Sequence, residues 1–260
     1  MDTEQIDAYL RHIGAERPAA PTSRALHDLH LAHLRSVPFE NLSIHLGQDI
    51  ELTDKALVSK VVDAHRGGFC YELNGAFAAL LKALGFDVAL LQARVYDDTG
   101  ELGIPFDHLA LRVLTEDGGD WLADVGFGAH SELPLAYADR GEQADPAGTF
   151  RIAETPDGDL DVVKDGKRQY LVDPRPRALA DFKAGAWYHR TSPDSHFTRS
   201  LVCSRLIDAG RVTLSGRTLK TTAGGERETL ELTTEAEVLA AYERHFGITL
   251  EREPHVRGGE

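Results

Sequence analysis

The stretch RGGFCYELN at 66–74 sets a cysteine directly behind two glycines, at a point where a helical pattern begins. Paired glycines let backbone and ligand approach where a side chain would block the way. A thiol in the first turn of a helix feels the positive end of the macrodipole and the unpaired N–H groups there. Both favour the thiolate, which is the reactive form. Cys70 therefore reads as a nucleophile, whereas Cys203, inside the apolar run LVCSRLI, reads as a small buried hydrophobe.

A cysteine nucleophile needs a base, and the base needs a group that orients it. Of the twelve histidines, most, such as His27, His30 and His33, fall at polar or half-polar helix positions and are expected to be solvated. His108 lies instead among apolar neighbours in FDHLALRVL, and Asp124 lies in WLADVGF, where an unpaired carboxylate would be costly. With a hairpin turn at Glu116, Asp117, Gly118 and Gly119, strand pairing sets Asp124 opposite His108 or one diagonal step away. Directly opposed same-face residues have Cβ atoms about 5 Å apart. Each buried polar residue then explains the other, and Cys70, His108 and Asp124 form a candidate triad.

The elements that must position these residues change character along the chain. Ile6, Leu10 and Ile13 share a helical face before Gly14, and Leu26, Leu29, His33, Leu34 and Val37 share another before Pro38. Thr53 caps a third helix carrying Leu57, Val58, Val61 and Val62. A fourth follows Gly67 and Gly68, with Phe77, Leu80, Leu81 and Leu84 as its stripe and Gly85 as its stop. Strand-like segments then run from FDVALLQARVY through TFRIA, LDVV, RQYLVD, FTRSLVCSRLI, RVTLSG and ETLEL, with Asp139 to Gly148 as a loop. TEAEVLAAYERHFG returns to a helical period. Helices, a long β region and a terminal helix make a segregated α+β chain.

Composition narrows the function classes. A formal net charge of −14 over 260 residues argues against a nucleic-acid footprint, which needs clustered Lys and Arg. Two cysteines make no disulfide framework, and no metal-ligand spacing is present, so the metal expectation is none. No apolar run is long enough to span a bilayer, which excludes a membrane partner and points to a soluble cytoplasmic protein.

RGGFCYELN, together with VPFENL at 37–42, DHLALRV at 107–113 and DVGFG at 124–128, resembles the arylamine N-acetyltransferase family. WYHRTSP at 187–193 and LSGRTL at 214–219 are similar to that family's later blocks. The resemblance implies an N-terminal helical bundle (residues 1–85), a central β-barrel (86–190) and a C-terminal α/β lid (191–260), around a papain-like or transglutaminase-like Cys-His-Asp core. It implies ping-pong chemistry, in which a cysteine takes an acetyl group from acetyl-coenzyme A and passes it to an arylamine, hydrazine or arylhydroxylamine. Carried across by motif, Cys70 is the nucleophile, His108 the base and Asp124 its orienter. Gly126, Phe127, Gly128, Ser215, Gly216 and Arg217 match coenzyme A contacts, and Phe39, Val95, Phe127 and Phe197 match acceptor-pocket positions. Phe127 and Phe197 also suit a plain core. The end of the chain soon after FGI at 246–248 and the short AHSELPL loop are similar to the family's amide synthase branch. Those enzymes close aniline-primed polyketides into ansamycin macrolactams and take the acyl thioester from an acyl carrier protein. A transglutaminase-like or peptidase-like hydrolase and an inactive binding module are the readings outside the family.

Overall fold

In the computed structural model, which describes residues 1–208 and 210–256, five helices and one short strand precede the first long strand. Helix α1 (Thr3–Ile13) begins at Asp2, whose carboxylate accepts from Gln5 N at 2.8 Å. Helix α2 (Ser23–Ser36) ends where Val37, the residue before Pro38, turns extended. Strand β1 (Phe39–Glu40) and the single-turn α3 (Leu42–His45) follow. Helix α4 (Asp54–Val62) is capped by Thr53, whose hydroxyl accepts from Ala56 N at 3.3 Å. Helix α5 (Cys70–Ala83) opens at the cysteine itself. Its residues 70–81 are all buried, so the expected apolar stripe belongs to a helix enclosed on every side.

Eight antiparallel strands follow: β2 (Asp87–Val95), β3 (His108–Leu114), β4 (Asp120–Ala123), β5 (Leu135–Ala136), β6 (Gln143–Asp145), β7 (Gly148–Glu154), β8 (Leu160–Lys164) and β9 (Lys167–Arg177). They pair in the order β5-β4-β3-β2-β9-β8-β7-β6. The edges β5 and β6 are bridged by one side chain. Gln143 accepts from Ala136 N at 2.7 Å and donates to Ala136 O at 3.1 Å, so the sheet nearly closes into a barrel. Along β3 the faces alternate as a strand requires. Leu109, Leu111 and Val113 join the helical core, while Ala110 joins the barrel interior with Leu91, Phe150 and Tyr170.

Helices α6 (Lys183–Thr191) and α7 (His196–Arg199) lead to β10 (Val202–Ile207), β11 (Gly210–Ser215), β12 (Thr218–Ala223) and β13 (Glu226–Glu231). These four strands form a second sheet with β1, in the order β1-β10-β11-β12-β13. Helix α8 (Glu235–Phe246) packs Val238, Ala241, Tyr242 and Phe246 on it. Because β1 comes from the helical segment, the last region is sewn to the first by backbone pairing of Phe39 with Ser204 and Glu40 with Cys203. The architecture is the α+β class expected.

Several elements differ from the sequence reading. FTRSLVCSRLI is not one strand: Ser195 accepts from Phe197 N at 3.3 Å and caps a helical turn, and β10 begins only at Val202. The stretch from Asp139 to Gly148 contains β6, and β12 had not been expected at all. Helix α6 lacked a legible stripe, because Gly185 sits mid-helix and Trp187 is 67% exposed. No helix among the described residues is long and apolar enough to cross a membrane.

Candidate active site

The VPFENL and RGGFCYELN segments are built against each other, and that contact sets the position of Cys70. Gly67 lies so close to the Pro38 carbonyl that a Cβ there would collide with it. Glu40, fully buried, accepts from Arg66 Nε at 2.9 Å and from Leu42 N at 2.6 Å. Glu72 takes Lys60 Nζ at 2.5 Å and Phe69 N at 3.3 Å, closing the first turn of α5. Asn41 spans to the last sheet, donating to Ser200 O at 2.6 Å and accepting from Val202 N at 2.9 Å. These satisfied buried groups fix the entry to α5, where Cys70 is 4% exposed.

His108 opens β3, and its Nε2 donates to Asp124 Oδ2 at 2.7 Å. Asp124 is not inside a strand as expected but one residue beyond β4. Continuing the register in which Leu111 pairs with Ala123 places it opposite Ala110, the diagonal of the two expected arrangements. Its other oxygen, Oδ1, accepts from Asn74 Nδ2 and from Gly126 N, both at 2.9 Å. Asn74 stands one helical turn after Cys70. It also donates to Leu109 O at 2.6 Å and accepts from Val125 N at 3.0 Å, locking α5, β3 and the Asp124 loop together. Gly126 has no space for a Cβ, which would press on Asn74 Nδ2 and Cys70 Cα.

The electrostatics favour a proton on the histidine. Burial by itself would lower the His108 pKa, but the Asp124 carboxylate and the Cys70 sulfur push it up to about 10. Burial works against the Asp124 carboxylate too, yet His108 and Asn74 hold it well below the usual range. Burial pushes the Cys70 thiol up, and His108 together with the Leu109 backbone pulls it back. Burial is the largest effect on the sulfur and works against the thiolate that the start of α5 favours, while the His108 ring and the Leu109 backbone work with it. With Nε2 committed to Asp124, Nδ1 is the ring nitrogen left for the thiol.

Cys70 and His108 line a cleft of about 850 Å³. Phe39, Val95, Phe127, Phe197 and Gly126 line it as well. Asp124 lies beneath it, 2% exposed. Gly128 packs against the Phe39 ring. Phe127 meets His108 edge-on at 5.3 Å between centroids, and Phe197 meets Phe69 at 5.4 Å. Ser215, Gly216 and Arg217 are not brought to this cleft. The Arg217 guanidinium is held by Glu253, with Nε to Oε1 at 2.8 Å and Nη2 to Oε2 at 2.7 Å, and donates from Nη1 to Thr233 O at 2.9 Å.

Sequence reasoning missed several groups around Cys70, His108 and Asp124. His30 and His33 are not solvated but fully buried. His30 accepts from Asp124 N at 3.3 Å through Nε2 and donates to Glu132 O at 3.0 Å through Nδ1. Burial lowers its pKa to about 4 and keeps it neutral. The signal was present: both histidines recur three and four residues apart with Leu26, Leu29 and Leu34, on the face that α2 buries. Asn74, four residues after Cys70, was legible on the same spacing. His130, tilted against Phe127 at 4.9 Å between ring centroids, and Tyr170, at 5.1 Å from His108, had no such signal.

A family model described as N-acetyltransferase matches residues 22–255. The arylamine N-acetyltransferase of Mycolicibacterium smegmatis is 35% identical over 94% of this chain and 92% of its own length. Its structure superposes with a TM-score of 0.86 over 96% of this chain and 93% of that one. A Salmonella typhimurium protein named arylamine N-acetyltransferase / N-hydroxyarylamine O-acetyltransferase is 34% identical over 82% of this chain and 77% of its own length. The arylamine N-acetyltransferase of Mycobacterium marinum in complex with CoA matches with a TM-score of 0.85 at 30% identity, covering 94% of this chain and 92% of that one. The fold is that of the arylamine N-acetyltransferase structures, which are acyltransferases. The chain belongs to the arylamine N-acetyltransferase family.

Proposed function

We propose that Cys70 takes an acetyl group from acetyl-coenzyme A and passes it to the nitrogen of an arylamine, hydrazine or arylhydroxylamine. The observation that carries this reading is a cysteine at the floor of an 850 Å³ cleft, beside a histidine that is itself held by a buried carboxylate at 2.7 Å. Cys70 sulfur attacks the thioester carbonyl, its proton residing on His108 Nδ1. The bond to the coenzyme A sulfur breaks, and His108 gives its proton to the leaving thiolate. The amine then attacks the acetyl-cysteine. The new C–N bond forms as the bond to Cys70 breaks, and His108 removes the amine proton. The positive end of α5 supports the developing oxyanion.

Gly126 and Phe127 serve the donor's pantetheine arm in this reading, and Phe39, Val95 and Phe197 form the acceptor wall. Among the described residues lining the cleft, Arg199 is the one Lys or Arg available to the anionic end of the donor. The relatives carry the acetyltransferase name, and no observation favours the carrier-protein and macrolactam alternative.

The test is acetyl loading. Incubation with acetyl-coenzyme A and no acceptor is expected to add one acetyl group, mapped by peptide mass spectrometry to Cys70, and an added arylamine should discharge it. Loading at Cys203, or none at all, overturns the reading.

A further inference from the structure

Two residues before His108, Phe106 adopts φ +60, a left-handed conformation that a bulky side chain rarely takes. Strain of this kind persists only where the surroundings over-determine it, and here they do. Phe106 N donates to Gln92 Oε1 at 3.0 Å, and its carbonyl accepts from Tyr71 Oη at 2.7 Å. Its ring meets Phe182 edge-on at 5.4 Å. Gly185 lies so close to the Phe106 carbonyl that no Cβ fits between them. The next residue, Asp107, is held as tightly: Oδ2 accepts from Val95 N at 3.0 Å, and Oδ1 from His189 Nε2 at 2.8 Å.

Phe182, Gly185 and His189 recur three and four residues apart, so a single face of α6 is given over to the two residues that precede His108. The chain of contacts continues. His189 Nδ1 accepts from Ser195 Oγ at 3.0 Å, and Ser195 caps α7, which carries Phe197. His189 and Ser195 are 4% and 3% exposed, and both line the cleft. Leucine would fill the His189 site if packing alone mattered there. The acetyl-transfer reading gives no role to Asp107, His189 or Ser195.

We propose that His189, acting through Asp107, is a positioning residue for His108. Helix α6 holds the left-handed turn at Phe106, the turn aims the His108 ring at Cys70, and Ser195 couples the same device to the acceptor wall. Because both His189 nitrogens are occupied, it exchanges no proton with substrate. The proposal rests on the acetyl-transfer reading of Cys70 and His108.

The test is the pH dependence of Cys70 alkylation by iodoacetamide, with peptide mapping, beside kcat and KM for acetyl transfer. The groups facing Cys70 are His108, Asp107 and Tyr71; those facing His108 are Cys70, Asp124, His130 and Tyr170; those facing His189 are Asp107, Tyr71, Tyr188 and His196. His189→Leu is expected to raise the alkylation midpoint by about one pH unit, tenfold in thiolate fraction below the midpoint. It should lower kcat by a similar factor while acceptor KM changes little. His189→Gln, whose amide nitrogen reaches where Nε2 does, should restore most of both. An unmoved midpoint in His189→Leu, or equal loss in the two variants, overturns the proposal. Wild-type protein in which Cys70 alkylates no faster than Cys203 removes the acetyl-transfer reading instead, and the positioning proposal with it.

Discussion

The cleft holds two histidine–carboxylate pairs of nearly equal geometry. His108 meets Asp124 at 2.7 Å and His189 meets Asp107 at 2.8 Å, and all four residues are buried or nearly so. What separates them is the other ring nitrogen. In His108 it remains for the Cys70 sulfur, whereas in His189 it is taken by Ser195 at 3.0 Å. The supports differ as well. Asp124 is held by Asn74 and Gly126 N–H groups on a loop behind α5, and Asp107 by the Val95 N–H and the face of α6. The same chemical pair can therefore carry protons or carry geometry, according to whether a nitrogen is left over.

The largest expected effect separates the pairs by kinetics. Asp124→Asn keeps the shape but favours the wrong imidazole tautomer and cannot stabilise the imidazolium, so acetylation of Cys70 should slow by about 10³–10⁴-fold. Asp107→Asn keeps one oxygen, which can accept from Val95 N or from His189 but not from both, and should slow it by about tenfold. Single-turnover release of coenzyme A thiol measures both. Similar losses in the two variants would erase the distinction between a proton-carrying pair and a positioning pair.

A second effect of Asp124→Asn is on stability, and its pH dependence has a definite sign. Because the His108 pKa is raised in the folded state to about 10, its stabilisation is complete below the unfolded value near 6.5 and is lost as pH rises through about 10. Asp124, depressed in the folded state, contributes above its unfolded value and loses that contribution as pH falls through its lower folded one. Removing one partner of a buried pair costs about 3–5 kcal/mol. Urea unfolding should show a gap of that order between wild type and Asp124→Asn at pH 6, shrinking steadily towards pH 10. A gap that is constant with pH would mean that Asp124 acts through Asn74 and Gly126 rather than through the imidazolium.

How much of this was open to the sequence depends on the local signal at each residue. Cys70, His108 and Asp124 announced themselves because each is polar or reactive within an apolar or glycine-marked stretch. Helices α1, α2, α4 and α5 were legible from periodicity and from the boundary residues Gly14, Pro38, Thr53 and Gly85, whereas the single-turn α3 was not. The second pair was not. Asp107 sits at the start of a strand beside its more conspicuous neighbour, and His189 lies on a helix whose contact face is built from Phe182, a glycine and the histidine itself, with no leucine stripe to reveal it. Partners 82 residues apart and joined only by folding leave no spacing to read. His30 shows the opposite failure. Its spacing was correct for burial, but residue type was weighed above position.

The smallest expected effect lies outside both pairs. Arg217 matched a coenzyme A contact by motif, yet both its forks are engaged, by the Glu253 carboxylate and the Thr233 carbonyl, and it does not line the cleft that Cys70 opens into. A guanidinium already paired this way has little to offer a phosphate unless the pair opens, and a partly exposed ion pair contributes little on its own. Arg217→Ala should therefore change the KM for acetyl-coenzyme A by less than about threefold. Glu253→Gln supplies the complementary measurement. If binding of the donor draws Arg217 away from Glu253, weakening that pair should lower the KM while Arg217→Ala raises it. If the pair stays closed, both substitutions should leave KM and kcat near the wild-type values, and the anionic end of the donor must be met by Arg199 and the backbone at Gly126 and Phe127.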